Sequence, residues 1–292
     1  MMISKRFKII STFGVLAIAC SLIGCGGKKV NYHTVTWQND DNSLIYKDEK
    51  VADGQTPAFT GETPSKVSDD PNFYYTFKGW TPEISAVKGD VTYTAIYETG
   101  INYTVSENSD GTYAIDDCLL TDATSLSIPT SYNNKAVTVL KENAFAKCTK
   151  AETIVVPSSI QELKPGCFAG TSKLKNLTVP FLGQTREEAK NFRYLFDTNG
   201  EQYPMNLENV VLASGCTNIP DEAFRFCYFL TVSIPKTVNY IGNLSFAGCD
   251  SLESVNYEGT KVEWGNITKS YNVLGDLQHV VKVHCSDGDV NF

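Results

Sequence analysis

A phenylalanine set in a turn of small residues recurs four times between residues 144 and 249 of this 292-residue chain. It reads Ala144-Phe145-Ala146-Lys147-Cys148, Cys167-Phe168-Ala169-Gly170-Thr171, Ala223-Phe224-Arg225-Phe226-Cys227 and Ser245-Phe246-Ala247-Gly248-Cys249. Twelve residues separate Phe145 from Pro157 and Phe168 from Pro180, and eleven separate Pro157 from Phe168 and Pro235 from Phe246, a repeat of 23. Self-similarity at that period marks a solenoid, in which each coil buries its apolar face only against its neighbours.

Between turn and proline the pattern is apolar-x-x-apolar-x-apolar: Ala151, Ile154, Val156; Leu174, Leu177, Val179; Leu207, Val210, Leu212; Leu252, Val255, Tyr257. Successive strand residues point to opposite faces, so the residue between the last two apolar positions turns outward. Val155, Thr178, Val211, Ser233 and Asn256 therefore form an outward column, flanked by Glu152, Lys175, Glu208, Thr231 and Glu253. Pro180 to Phe224 spans 44 residues, too many for half a repeat. With Ala213 in the proline position, Ala213 to Phe224 is again eleven, and a hidden repeat ends at Leu207–Leu212. Its turn is then replaced by an insertion over residues 181–206. Thr185-Arg186-Glu187-Glu188 forms a capping box there, with Ala189, Phe192 and Phe196 near helical spacing, which predicts a short helix on the solenoid's flank.

These turns, the proline-ended strands and Ile241-Gly242 together resemble the BspA-type leucine-rich repeats of bacterial surface proteins. The resemblance covers residues 101–292. It extends to a closing segment over 255–292 that carries Tyr257, Trp264 and Val283-His284-Cys285. Thr171 in place of the turn cysteine, Ala213 in place of a proline and Leu140-Lys141 in place of Ile-Gly depart from the pattern. Such a resemblance implies adhesion, or contact with proteins of a host or neighbouring cell. Residues 101–130 read as the solenoid's start, a hairpin around Asp110-Gly111 followed by Leu126-Ser127-Ile128-Pro129.

The first residues bear on location. Lys5, Arg6 and Lys8 precede an apolar run from Ile9 to Ile23, a secretory leader too short for a stable span. Leu22-Ile23-Gly24-Cys25 resembles the bacterial lipobox, which implies cleavage after residue 24 and diacylglycerol on Cys25. The competing reading is an ordinary cleaved leader with a chance cysteine. Two acyl chains anchor stably where one is marginal. Residues 25–31 would be a lipid-anchored tether, and the protein would sit on the extracellular face of the bacterial membrane. Without the leader, 22 basic residues face 33 acidic ones, a net charge of −11. An acidic chain with no basic cluster argues against nucleic acid.

Residues 32–99 differ in composition. Polarity alternates in Val35-Thr36-Trp37 and Val91-Thr92-Tyr93-Thr94-Ala95-Ile96-Tyr97, with turns at Asp53-Gly54 and Lys88-Gly89-Asp90, which predicts antiparallel strands. Val51-Ala52-Asp53-Gly54, Phe77-Lys78-Gly79-Trp80 and the strand after Asp90 resemble the Listeria–Bacteroides, or internalin B-type, repeat. That resemblance implies a small β-grasp-like domain. Trp37 and Trp80 read as core anchors before ligand platforms. The expected fold class is therefore mainly β: a small β-grasp-like domain over 32–99, then a leucine-rich-repeat solenoid over 100–292 with a short helical insertion.

Catalytic motifs are missing from the sequence. No G-x-S-x-G, phosphate-binding glycine loop or H-E-x-x-H occurs, so no catalytic residue is assigned. His279, His284 and Cys285 fall short of a four-ligand metal site, and Asp40-Asp41, Asp69-Asp70 and Asp287-Gly288-Asp289 lack calcium-loop spacing. Neither metal nor cofactor is expected. Seven cysteines follow Cys25, and those at the turns read as a ladder of buried thiols, with disulfides as the alternative in an exported chain. The sequence thus points to a non-enzymatic surface lipoprotein whose outward column binds a protein or glycan ligand. A second reading is an accessory protein capturing glycan or peptide for a transporter or hydrolase. It would need exposed aromatics among Phe192, Tyr194, Phe196, Tyr228 and Phe229.

Overall fold

The computed structural model describes residues 29–197 and 203–292. The leader, Cys25 and the start of the tether lie outside the described residues. The chain divides into two compact units. One comprises the described residues through Pro64 together with Gly79–Ile96, and the other Ser65–Lys78 with Tyr97–Phe292.

In the first unit Tyr32–Gln38 pairs antiparallel with Leu44–Ala52 and parallel with the start of Val91–Ile101. The parallel register sets Val35 against Val91 and Trp37 against Tyr93. Alternate residues Val35 and Trp37 turn inward with Tyr93, Val51 and Val87, and Phe59 and Trp80 pack against them. Trp37 is 1% exposed. Its ring lies 4.7 Å from both Trp80 and Tyr93 and 5.3 Å from Phe59. Both tryptophans thus serve the core, each pair of rings adding about 0.5–1.5 kcal/mol beyond area burial.

The second unit is a β-solenoid. Seven strands stack in chain order as one parallel sheet: Ser125–Ser127, Thr153–Val155, Asn176–Val179, Asn209–Leu212, Thr231–Ile234, Ser254–Tyr257 and Lys282–Cys285. An antiparallel strand, Gly288–Asn291, closes its end. The hidden repeat is real, since Asn209–Leu212 lies in register between its neighbours. The opening hairpin forms as expected, with Tyr103–Glu107 antiparallel to Tyr113–Cys118 and Gly111 left-handed at φ 81° in the turn.

Each turn phenylalanine joins two coils twice. Its N–H donates to a carbonyl of the next coil: Phe145 to Cys167, Phe224 to Ser245 and Phe246 to Val273, at 2.8–3.0 Å. Its ring stacks on the ring beyond. Phe145 lies 5.4 Å from Phe168, and Phe224 5.3 Å from Phe246. The column runs on through Phe292 and Trp264 to Tyr257, each step 5.2–5.5 Å.

The insertion departs from expectation. Thr185 Oγ1 accepts from the N–H groups of Glu187 and Glu188, as a cap would, but no helix follows. Gln184 N–H instead bonds back to the Glu188 carbonyl, opposite to helical sense, and Gly183 runs at φ 149° with Glu188 pressed against it. Among the described residues of the insertion, the helical turn is a 3₁₀ segment, Phe192–Leu195, capped by Asn191. It does not sit on the flank but completes the stack. Phe168 N–H donates to Leu195 O, and Phe192 N–H donates to Ala223 O. Phe196 packs 6.2 Å from Phe168 and Phe192 5.3 Å from Phe224. An isolated short helix is marginal in water, whereas burying Phe192, Leu195 and Phe196 contributes about 1.5–3 kcal/mol per side chain. The turn expected to be replaced therefore keeps its phenylalanines in another backbone.

Truncating Phe224 to Ala should cost about 3–5 kcal/mol in urea unfolding, because the cavity opens between two rings that cannot collapse inward. Tyr271→Ala, at a side chain 96% exposed, should stay within about 0.5 kcal/mol of the parent protein.

Candidate functional site

The parallel register fixes the outward face of the long sheet. Val155, Thr178, Val211, Ser233 and Asn256 stand side by side, and the pairing extends the column to Ser127 at one end and His284 at the other. Val155 and Asn256 are exposed, and the three between them are half-buried.

Two residues upstream on each strand runs a second outward column, which the apolar pattern of the repeat did not single out: Thr153, Asn176, Asn209, Thr231 and Ser254. The period of two was the signal that could have found it. Its side chains bond along the solenoid axis. Asn176 Nδ2 donates to Thr153 Oγ1 at 3.4 Å, Asn209 Nδ2 to Asn176 Oδ1 at 2.7 Å, and Thr231 Oγ1 to Asn209 Oδ1 at 2.5 Å. Thr231 thus belongs to this ladder and not to the charged flank. Leu230 takes the flank position, because that coil's turn is one residue shorter. On the flank Lys175 Nζ meets Glu152 Oε2 at 3.0 Å. The five column residues and the five of the ladder are all uncharged, and the face offers hydroxyls, amides and two valines.

The other candidate groups are occupied singly. His279 Nε2 lies 2.7 Å from the Leu252 carbonyl, and His284 Nδ1 lies 2.8 Å from Asp289, so the two histidines have separate partners. Asp41 and Asp70 accept turn N–H groups from Ser43 and Asn72, and Asp287 accepts from Lys261 N–H. Among the described residues no three His, Cys, Asp or Glu side chains gather into a metal site. The aromatic platform of the capture reading does not form, since Phe192, Phe196 and Phe229 are buried in the stack. Tyr194 is half-buried and donates to Gln184 at 3.0 Å, which leaves Tyr228 exposed.

The seven described cysteines are free thiols. Six are buried, with Cys285 half-buried. Cys148 and Cys167 approach carbonyls of adjacent coils at 4.0 and 3.9 Å, and Cys249 Sγ donates to Phe224 O at 3.0 Å. Burial pushes Cys216 up to about 11 and Cys249 up to about 12, and raises Cys227 as well. At these three positions the thiolate, the nucleophilic form, is suppressed, whereas the hydrogen bond from Cys118 lowers Cys148.

Residues 99–193 and 201–271 match the model of the BspA type leucine-rich repeat region, in six copies and over more than half the chain. Among solved structures the chain is similar to a leucine-rich repeat protein of T. pallidum, at 17% identity and TM-score 0.36, over 53% of this chain and 68% of that one. A leucine-rich cell surface protein of Faecalibacterium prausnitzii shares 15% identity at TM-score 0.31, over 65% of this chain and 59% of its own. A leucine-rich repeat protein of Bacteroides ovatus shares 23% identity at TM-score 0.30, over 53% and 45%. No curated protein matches the sequence.

Of the seven described cysteines, iodoacetamide at pH 8 should label Cys285 alone in the native state, with peptide mass spectrometry as the readout. Raised thiol values also set a pH dependence. The unfolded chain releases these protons near pH 9 and the folded chain does not, so stability holds below pH 9 and declines as pH rises toward about 11 and 12. Urea midpoints measured from pH 8 to 11 should fall, less steeply in Cys216→Ala.

Proposed function

Because this chain belongs to the BspA-type leucine-rich-repeat family, we propose that it is a non-enzymatic bacterial surface protein whose solenoid binds a partner through the outward face of its long sheet. The observation that supports this reading most is the face itself, two in-register columns of uncharged side chains that combine hydroxyls and amides with two valines. A rigid parallel stack presents them at fixed spacing, which lowers the ordering cost of binding. The five column residues carry variable chemistry on a repeating backbone, the arrangement by which one scaffold recognises a particular ligand.

Placement at the membrane rests on the first 25 residues. The basic start, the short apolar run and the small residue before Cys25 support export, cleavage and diacylglycerol on that thiol. Residues 32–99, with their resemblance to the internalin B-type repeat, serve as a spacer in the chain between the tether and the solenoid. The partner is a protein on a host or neighbouring cell. The buried state of Phe192, Phe196 and Phe229 removes most of the aromatic surface that a glycan-capturing protein would use.

The double variant Thr178→Arg with Ser233→Arg places two charged, bulky side chains in the column, and should abolish adhesion to host matrix proteins in a surface-binding assay without lowering the melting temperature by more than a few degrees. Wild-type binding no better than this variant would overturn the face assignment. Cys25→Ser should prevent metabolic incorporation of labelled palmitate and release the protein from the membrane fraction.

A further inference from the structure

The opening hairpin meets the first turn of the solenoid through one set of contacts. Cys118, the last residue of Tyr113–Cys118, donates its N–H to Ala144 O at 2.7 Å, and its carbonyl lies 4.0 Å from Cys148 Sγ. Asp117 pairs with Lys147 beside it, and the rings of Tyr103 and Phe145 lie 6.4 Å apart. Cys118 and Cys148, 30 positions apart in the chain, are thus held side by side by backbone, charge and ring contacts. Within that frame the two thiols hydrogen-bond to each other, and both are fully buried.

The other turn thiols are aimed at carbonyls. Cys167 Sγ approaches Leu195 O at 3.9 Å, Cys216 Sγ donates to Asn218 O at 3.4 Å, and Cys249 Sγ, beside Cys227 in the ladder, donates to Phe224 O at 3.0 Å. The bond between Cys118 and Cys148 is also polarised. It holds the donor, Cys118, above the usual thiol value and the acceptor, Cys148, below it. Disulfide exchange needs an attacking thiolate and a second thiol close enough to resolve the mixed disulfide. The turn and the hairpin supply one of each.

We propose that Cys118 and Cys148 are a redox-active pair that closes to a disulfide and staples the opening hairpin to the first coil. The oxidant is a small disulfide such as glutathione disulfide. Cys148 thiolate attacks one of its sulfurs, forming a mixed disulfide and expelling one glutathione thiolate. Cys118 then loses its proton, attacks the Cys148 sulfur and expels the second glutathione. Two cysteine thiols are oxidised to one disulfide, one glutathione disulfide is reduced to two thiols, and the two protons pass to the thiols released. The backbone contacts at Ala144 and Cys118 already hold the two segments together, so the sulfurs reach bonding distance by side-chain rotation. Burial sets the timing. Exchange takes place while the hairpin is undocked, during folding or local opening, and docking then encloses the bond. Use of the pair in the cell rests on the export reading, because exported chains meet oxidising conditions, whereas the chemistry itself belongs to the chain.

The test refolds the full chain from urea at pH 8 in a mixture of oxidised and reduced glutathione, which lets wrong pairs exchange until the folded geometry selects one. Remaining thiols are blocked in acid and denaturant, and the digest is read by mass spectrometry. A cross-linked peptide joining Cys118 to Cys148 should dominate and should vanish with dithiothreitol. Closing a loop of this length should raise the melting temperature of the oxidised wild type over the reduced by about 5–10 °C. The double variant Cys118→Ala with Cys148→Ala should melt alike in both buffers. The inference fails if both cysteines remain thiols, if Cys148 stops at the glutathione adduct, if the bond joins Cys227 to Cys249 instead, or if the oxidised chain melts no higher than the reduced one. The Thr178→Arg, Ser233→Arg variant should oxidise normally, and Cys25→Ser should do so too, so failure of the sheet-face or anchoring reading would leave this one standing.

Discussion

The solenoid depends on one residue doing two things. A turn phenylalanine donates its backbone N–H to the next coil and lays its ring on the next ring, so polar satisfaction and apolar burial are won by the same stacking step. Neither could be achieved by a lone coil, whose turn N–H would face water and whose ring would be exposed. The coupling makes each coil's stability a property of its interface with its neighbours. It also explains the left-handed residue two places before the ring, Asn143, Gly166, Glu222 or Leu244, with φ between 53° and 61°. That kink delivers the N–H to the adjacent carbonyl, and the gain across the interface outweighs about 1–2 kcal/mol of local backbone cost.

How much of this was legible in the sequence follows from the same coupling. The period, the strands, the hidden coil at Leu207–Leu212 and the outward column were readable because stacking demands that residues recur at fixed intervals. The insertion was not. Thr185 and its two glutamates satisfy a local helix-start rule, and Phe192 and Phe196 satisfy a helical spacing, yet the gap between Phe168 and Phe224 in the aromatic column overrode both. The stack requires a ring there more strictly than it requires a particular backbone, so a 3₁₀ turn supplies two. Thr231 shows the smaller form of this failure. A coil trimmed by one residue moves it from the flank to the amide ladder, and only pairing with Asn209 reveals the shift.

Residues that recur are consumed by the architecture, which confines recognition to positions the repeat leaves free. On the sheet face those positions are held at the strand spacing by the ladder from Thr153 to Thr231. Such bonds contribute modestly to net stability, about 0.5–1.5 kcal/mol each. Their larger effect is to fix side chains that would otherwise need ordering when a partner arrives. In the charged row beside them Lys175 pairs with Glu152, and Glu208 and Glu253 leave that row net negative along one border of the neutral face.

Phe226 is the informative exception to this division. It stands at a recurring place, where the backbone prefers glycine and two sister coils have it, yet its ring does not enter the stack. The Arg225 guanidinium lies over the ring, 4.9 Å from its centroid, and the ring reaches close enough to Gly248 that a Cβ there would collide with it, so it rests on the next coil while staying half exposed. A side chain kept there for folding alone would be buried, as Phe224 and Phe229 are. A side chain kept merely for solubility would be polar and would avoid the left-handed region. What remains is a half-exposed ring for which the next coil makes room by carrying glycine at its equivalent place.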